Sequence, residues 1–339
     1  MVKLLVISII LLFLALGGYL LRLNQQSSAP VGNNNAIVNH EKPLDRYAFE
    51  RLKNSVFTAS NIEIGRVVKE EPDFESSMFY FNVDGKRVSG LINVPERPGN
   101  YPVIVMFRGY VDKEKYTTGV GTARMGEFLA KNGFISLAPD FLGYGESDNP
   151  SESPIEERFQ TYTTALTLLK SLQNLNTALR EDKEGVLADL SKMGIWGHSN
   201  GGQIAFSVLE ISGATYPTVL WAPVSKPFPY SILYYTDDFD DHGKMLRRVV
   251  ADFEKDYDSE KYSFTNFFDF IRAPIQIHQG NQDEAVPANW SDQLSDSLEK
   301  LNKEVTYFTY PVEDHNFSQG SWPVVANRSL EFYRSNFSN

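Results

Sequence analysis

Cysteine is absent from the 339 residues of this chain. Disulfides, thiolate metal sites, iron–sulfur clusters and a cysteine nucleophile are thereby excluded together, while the redox compartment stays open. Histidine is scarce as well. The five present, His40, His198, His242, His278 and His315, form no HxH or HExxH pair. Zinc chemistry therefore has no evident ligand set, and neither a metal nor an organic cofactor is implied. Basic runs are missing too, with 32 Lys and Arg against 43 Asp and Glu and a net charge of −11. A surface this acidic repels phosphate backbones, which argues against a nucleic-acid partner. What remains is globular in composition, 42% hydrophobic, 13% aromatic and 22% charged, with no repeat period.

One uncharged run stands out. Between Lys3 and Arg22, residues Leu4 to Leu21 are mostly Leu, Ile and Val. As a helix of roughly 27 Å they match the hydrocarbon core of a bilayer. Ala15-Leu16-Gly17 has the look of a small-residue cleavage site, but it lies inside the apolar run. The expectation is an uncleaved membrane anchor over residues 1–23 with the rest extracytoplasmic; secretion after signal cleavage is the alternative. Residues 24–40 are polar and Asn-rich and read as a flexible linker. One folded domain is expected over residues 41–339.

Within that domain the pattern changes once. Glu41–Phe57 reads as a helix, followed by short β runs at Ile62–Val68, Ser77–Val83 and Arg87–Val94, the last two joined by an Asp84-Gly85 hairpin turn. Continuous apolar runs then alternate with amphipathic stretches: Pro102–Phe107, Phe134–Ala138, Met193–Trp196, Thr218–Trp221, Pro274–His278 and Val305–Tyr310 as strands. Gly121–Asn132, Ile155–Leu175, Gly201–Ile211, Ala288–Asn302 and Val324–Phe337 read as the helices between and after them. Unbroken apolar strands are buried on both faces, so the expected class is α/β, a mostly parallel sheet with an antiparallel start and helices on both sides. Reactive groups in such sheets sit on loops at the carboxyl ends of strands.

Three of those ends carry reactive side chains. MGIW runs into Gly197-His198-Ser199-Asn200-Gly201-Gly202 and then a helix. This is GxSxG in the strand–turn–helix setting that exposes a serine hydroxyl on a strained turn. The first helical N–H, at Asn200, is placed to meet a developing oxyanion. Because a serine hydroxyl needs a base, the downstream loops matter. HQGNQDEAVP places Asp283 after one strand, and YPVEDHNF places His315 after the next, so the chain order is Ser, acid, His. His278 reads as a satisfied core residue, and His198 and His242 are not placed to act as bases. Asp140 reads as a support for its own loop. Phe107-Arg108-Gly109-Tyr110 leaves another strand, and its loop is where a second oxyanion N–H belongs, here that of Tyr110. Arg108 is read two ways, as a contact for a substrate carboxylate or carbonyl and as a partner of a nearby acid. Between Ala222 and Ile271 lies a proline- and aromatic-rich insertion, residues 223–271, expected to cap Ser199. Most of its aromatics would hold the cap together as a small satellite core and a few would face substrate. Tyr234 and Tyr235 there, with Tyr144 of the APDFLGYGESD loop, are candidate substrate contacts.

Taken together, PVIVMFRG, APDFLGYGESD, GHSNGG, HQGNQDEAVP and EDHNF resemble the α/β-hydrolase superfamily over about residues 92–337. Among its members the chain is similar to prolyl oligopeptidase-like (S9) serine peptidases and dienelactone-hydrolase-like esterases. The resemblance implies an eight-stranded α/β-hydrolase sheet and Ser199 as nucleophile. It further implies His315 as general base and then acid, Asp283 as the group orienting it, and the N–H groups of Tyr110 and Asn200 as oxyanion donors. It also implies acyl-enzyme hydrolysis of small peptides or, alternatively, of esters. A non-catalytic binding protein of the same fold is the alternative from another class. Two departures stand: Arg108-Gly109 replaces the family's His-Gly, and no stretch of the chain accommodates a β-propeller.

Overall fold

A computed structural model describes residues 41–338. Pro43–Asn339 form one compact unit. The expected anchor and linker lie outside the described residues. Among the described residues no helix is long and apolar enough to cross a membrane.

The sheet has nine strands: β1 (Glu63–Glu71), β2 (Phe74–Val83), β3 (Lys86–Pro95), β4 (Gly99–Phe107), β5 (Ile135–Pro139), β6 (Val186–His198), β7 (Thr218–Trp221), β8 (Ile275–Gly280) and β9 (Val305–Tyr310), in the order β1-β2-β3-β5-β4-β6-β7-β8-β9. The first three form the antiparallel start, and β4 to β9 run parallel to one another. This is one strand more than the eight the resemblance implies, because β1 pairs along the outer edge of β2. The β2–β3 hairpin turns at Asp84 and Gly85, both with positive φ (50° and 78°), as a two-residue turn matched to strand twist requires.

Helices cover both faces: α1 (Phe49–Lys53), α2 (Ala123–Lys131), α3 (Pro154–Ser171), α4 (Leu175–Asp182), α5 (Asn200–Ser212), α6 (Tyr230–Leu233), α7 (Lys244–Glu254), α8 (Ala288–Lys300) and α9 (Trp322–Phe337). Alternation along β4 shows how the faces divide. Val103, Val105 and Phe107 join the large core beneath α3 and α5, whereas Ile104 and Met106 join the core beneath α2 and α9. Two readings need correction. Glu41–Phe57 is not one helix, since Ala48 is extended (ψ 138°) between a short 3-10 turn, Asp45–Tyr47, and α1. The strand before Ser199 is longer than Met193–Trp196: Val186–Asp189 already pair with Gly99–Pro102, half-buried and mixed in polarity, so no apolar run announces them.

Sheet order locates the crevice. From β4 the chain moves out to β5 and then returns past β4 to β6. Successive connections leaving in opposite directions open a gap at the carboxyl ends of β4 and β6. Those ends carry Gly109-Tyr110 and Ser199.

Candidate active site

The turn between β6 and α5 is strained where the chemistry needs it. Ser199 sits at φ 55°, ψ −121°, a conformation side chains rarely adopt and one that persists only when its surroundings enforce it. Glycines make room. A Cβ on Gly197 would lie 2.6 Å from the Gly201 carbonyl oxygen, and one on Gly201 would lie 1.9 Å from that of Phe107. Ser199 N–H bonds the Trp221 carbonyl at 2.9 Å, and its own carbonyl accepts from Gly202 and Val224. The loop after β4 passes alongside, with an ideal Cβ on Gly109 only 2.9 Å from that of Ser199. The loop carrying Gly109 and Tyr110 therefore passes beside Ser199, and Asn200, the first residue of α5, brings one of the N–H donors a helix leaves unpaired. Tyr110's side chain is exposed and bonds Asp112.

Asp283 and His315 are brought together as expected. His315 Nδ1 donates to Asp283 Oδ2 at 2.8 Å, and the carboxylate is fully buried. Three further donors hold it: Gln279 Nε2 at 3.0 Å on Oδ2, and the Ala285 and Val286 N–H groups at 2.9 and 2.7 Å on Oδ1. The bond to Nδ1 sets the orientation of the imidazole ring and leaves Nε2 facing away from the carboxylate. The His315 loop is supported by buried Glu313, which accepts from the N–H groups of Gln319 and Ser321. His198 supports it from below, its Nε2 2.9 Å from the His315 carbonyl and its ring centroid 4.6 Å from the His315 ring. Burial, with the neighbouring His315 second, pushes His198 down to about 3. Ser199, His315, Tyr110 and Asn200 all line one cavity of about 400 Å³. Among the described residues the Ser199 hydroxyl has no hydrogen-bond partner, and it shares that cavity with His315.

Comparison with known proteins follows the same lines. A family model described as Chlorophyllase matches residues 58–216. Uncharacterized peptidase YtmA of Bacillus subtilis (strain 168) is 27% identical over 253 residues, covering 73% of this chain and 86% of that protein. Among solved structures, acetyl xylan esterase from Paenibacillus sp. R4 superposes with a TM-score of 0.59 at 16% identity, covering 88% of this chain and 95% of that one. Pyrococcus horikoshii acylaminoacyl peptidase gives 0.55 at 21% identity over 77% of this chain, which spans only 41% of that one. This chain has the α/β-hydrolase fold.

The other residues singled out in this hydrolase fold separate into neighbours of Ser199 and props. Tyr235 lines the Ser199 cavity together with Val224, Ser231, Ile232, Phe239 and Leu246 of the insertion. Tyr234 instead packs edge-on against Trp290, ring centroids 4.7 Å apart, and does not line that cavity. Arg108 is buried, donates to the carbonyls of Gly109 (2.9 Å) and Asp140 (3.0 Å), and lies over the rings of Tyr116 and Tyr144. It ties the loops after β4 and β5 together through carbonyls rather than through an acid. Tyr144 lines a second cavity of about 200 Å³ that abuts the first and bonds the Val111 carbonyl. Asp140 accepts from Ser89, Tyr116 and Thr118 and His278 bonds Tyr310 and Gln276, supporting roles both. The insertion's aromatics are not a satellite core. Phe228, Phe253, Tyr262, Phe264 and Phe268 belong to the main core, packed on Phe159 of α3 and Phe206 of α5.

Two functional neighbours escaped the sequence. Gln279 ends a buried strand and reads as an ordinary polar residue, yet it bonds Asp283, Gly280 and Val286 at once. Arg158 lies in a helix whose apolar spacing draws attention to its other side, and only the packing of α3 on α5 turns it toward Ser199.

Proposed function

We propose that this chain is a serine hydrolase working through an acyl-enzyme, with Ser199, His315 and Asp283 as its triad. The observation that carries this reading is the 2.8 Å bond from His315 to a buried, fully bonded Asp283, in one cavity with a serine on a strained strand-to-helix turn. His315, neutral with its proton on Nδ1, takes the Ser199 proton on Nε2 as Oγ attacks the substrate carbonyl. The oxyanion then meets the N–H groups of Tyr110 and Asn200, donors whose positions are fixed before the reaction. Collapse expels the leaving group, protonated by His315. Water, deprotonated by His315 in turn, releases the acid.

Small peptides are the substrate class on the main reading, supported by likeness over most of the chain to a protein named as a peptidase. A small cavity beneath the cap formed by residues 223–271 suits short chains. Carboxylic esters are the second reading, favoured by the family model matched over residues 58–216. The amino-terminal apolar run of the sequence supports a tether that leaves this domain outside the cytoplasm; a cleaved leader would give a secreted form instead.

Labelling the full chain with a fluorophosphonate, beside Ser199→Ala, tests the chemistry. Labelling of the wild type alone is expected. A folded wild type that stays unlabelled would overturn the reading in favour of a non-catalytic binding protein of the same fold. Parallel screens of peptide and ester libraries then separate the two substrate classes.

A further inference from the structure

Arg158, in the second turn of α3, is a cation without an acid. Its Nη2 donates to two neutral amides, Gln203 Oε1 at 3.1 Å and Asn200 Oδ1 at 3.4 Å, while its Nε is sequestered with no partner. The carboxylates around it are occupied elsewhere: Glu156 accepts from Tyr47 and Ser151, Glu157 pairs with Lys113 at 2.7 Å, and Asp283 holds His315. Among the described residues none lies within ion-pair distance of the guanidinium. Partial burial draws its pKa below the ordinary value, yet a guanidinium keeps its charge in proteins, and a half-buried charge without a counter-ion favours an anion beside it.

A second orphan lies in the same place. The Tyr235 hydroxyl, from the cap, is sequestered and likewise has no partner. Both side chains line the cavity that holds Ser199 and His315, whose other walls include Val224, Ile232, Phe239 and Leu246. Arg158 also lines the adjoining chamber, the one bordered by Tyr144. The site is thus an apolar slot beside the nucleophile with one cationic and one hydroxyl donor left open. With Nη2 turned to the two amides, the N–H groups of Nη1 remain to donate charge-assisted bonds to a carboxylate, and a hydroxyl can add another.

We propose that Arg158, assisted by the Tyr235 hydroxyl, binds a carboxylate carried by the substrate a short apolar chain away from the scissile carbonyl. The assignment rests on the serine hydrolase reading and narrows it: the preferred peptides or esters are monoanions. The carboxylate stays a spectator, replacing water around Arg158 and fixing how deep the substrate sits.

The test uses the full chain and two matched substrate pairs, one charged on the acyl arm and one on the leaving arm. Mono-4-nitrophenyl glutarate is set against its methyl ester, and the butyrate ester of 4-hydroxybenzoate against that of methyl 4-hydroxybenzoate. At least one charged member should be preferred in kcat/KM. That preference should fall about tenfold to a hundredfold in Arg158→Met, less in Arg158→Lys, and a few-fold in Tyr235→Phe. Tyr235→Phe only removes an unpartnered hydroxyl, so it reports even if Arg158→Met fails to fold. Binding is read without turnover as well: 4-phenylbutyrate should raise the melting temperature where its amide does not, and Arg158→Lys should weaken that difference. Fluorophosphonate labelling of the same samples separates the two ways of failing. An unlabelled wild type overturns the hydrolase reading. A labelled wild type that prefers neither charged ester, or whose preference survives in Arg158→Met, overturns the role of Arg158.

Discussion

The floor of the site and its roof are built by different physics. The floor consists of loops at the ends of β4, β6, β8 and β9, each defined by short-range rules: a strained serine, glycines where backbones touch, a carboxylate held by N–H groups two and three residues on. The roof, residues 223–271, has little regular structure, and α6 and α7 are its only α-helices. It is held by aromatics inserted into the main core, Phe253 against Phe159, Phe228 and Tyr262 at centroid distances of 6.1, 5.6 and 5.0 Å. Changes in the floor should therefore cost chemistry before stability, and changes in the roof stability before chemistry.

The sharpest way to break that contrast is Asp283→Asn. Loss of the acceptor-only carboxylate upsets the His315 tautomer, and kcat should fall by about 10⁴-fold while the melting temperature moves little. A collapse of folding instead would make the floor structural. Next in size is Phe253→Ala in the roof. A buried phenylalanine leaves a cavity costing about 3–5 kcal/mol, measurable by denaturant unfolding; an unchanged midpoint would mean that the cap does not share the main core.

Acid sharpens the comparison from the side of the floor. Burial holds His198 and His278 neutral, each pushed down to about 3 from an ordinary 6.5. The unfolded chain then binds more protons than the native one between those values, so their contribution is whole above about 6.5 and is lost as pH falls toward 3. Melting temperatures should decline through that window, and His278→Gln, which cannot charge, should flatten the decline; an equally steep profile would assign it elsewhere. Smallest of all is Tyr234→Ala. Tyr234 is 39% exposed and packed edge-on against Trp290 outside the Ser199 cavity, so stability should drop by about 1 kcal/mol with kcat/KM on a neutral ester nearly unchanged. A large kinetic loss would return Tyr234 to the list of substrate contacts.

How far the sequence can be read follows the same division. Ser199, Asp283 and His315 are legible because each sits just past an apolar run, in loops whose turn residues advertise themselves. Asp140 is recognisable as a loop support because it directly follows a strand, and His278 as a core residue because it lies inside one. Gln279 is not legible, because two of its acceptors, Asp283 and Val286, come from a loop that folds back on it. The amino half of β6 is hidden because a strand end only half buried needs no apolar alternation. Glu41–Phe57 misleads because helix propensity says nothing of the extended residue at Ala48.

By itself, then, the sequence determined the order of strands and helices, the Asp84-Gly85 turn and the three reactive loops, all consequences of local periodicity and turn chemistry. Sheet order, the crevice between β4 and β6, the anchoring of the cap in the main core and the meeting of Arg158 with Tyr235 beside Ser199 were decided only by the tertiary structure. Each of these depends on which apolar faces bury one another, and that choice joins residues far apart in the chain, where local pattern carries no information.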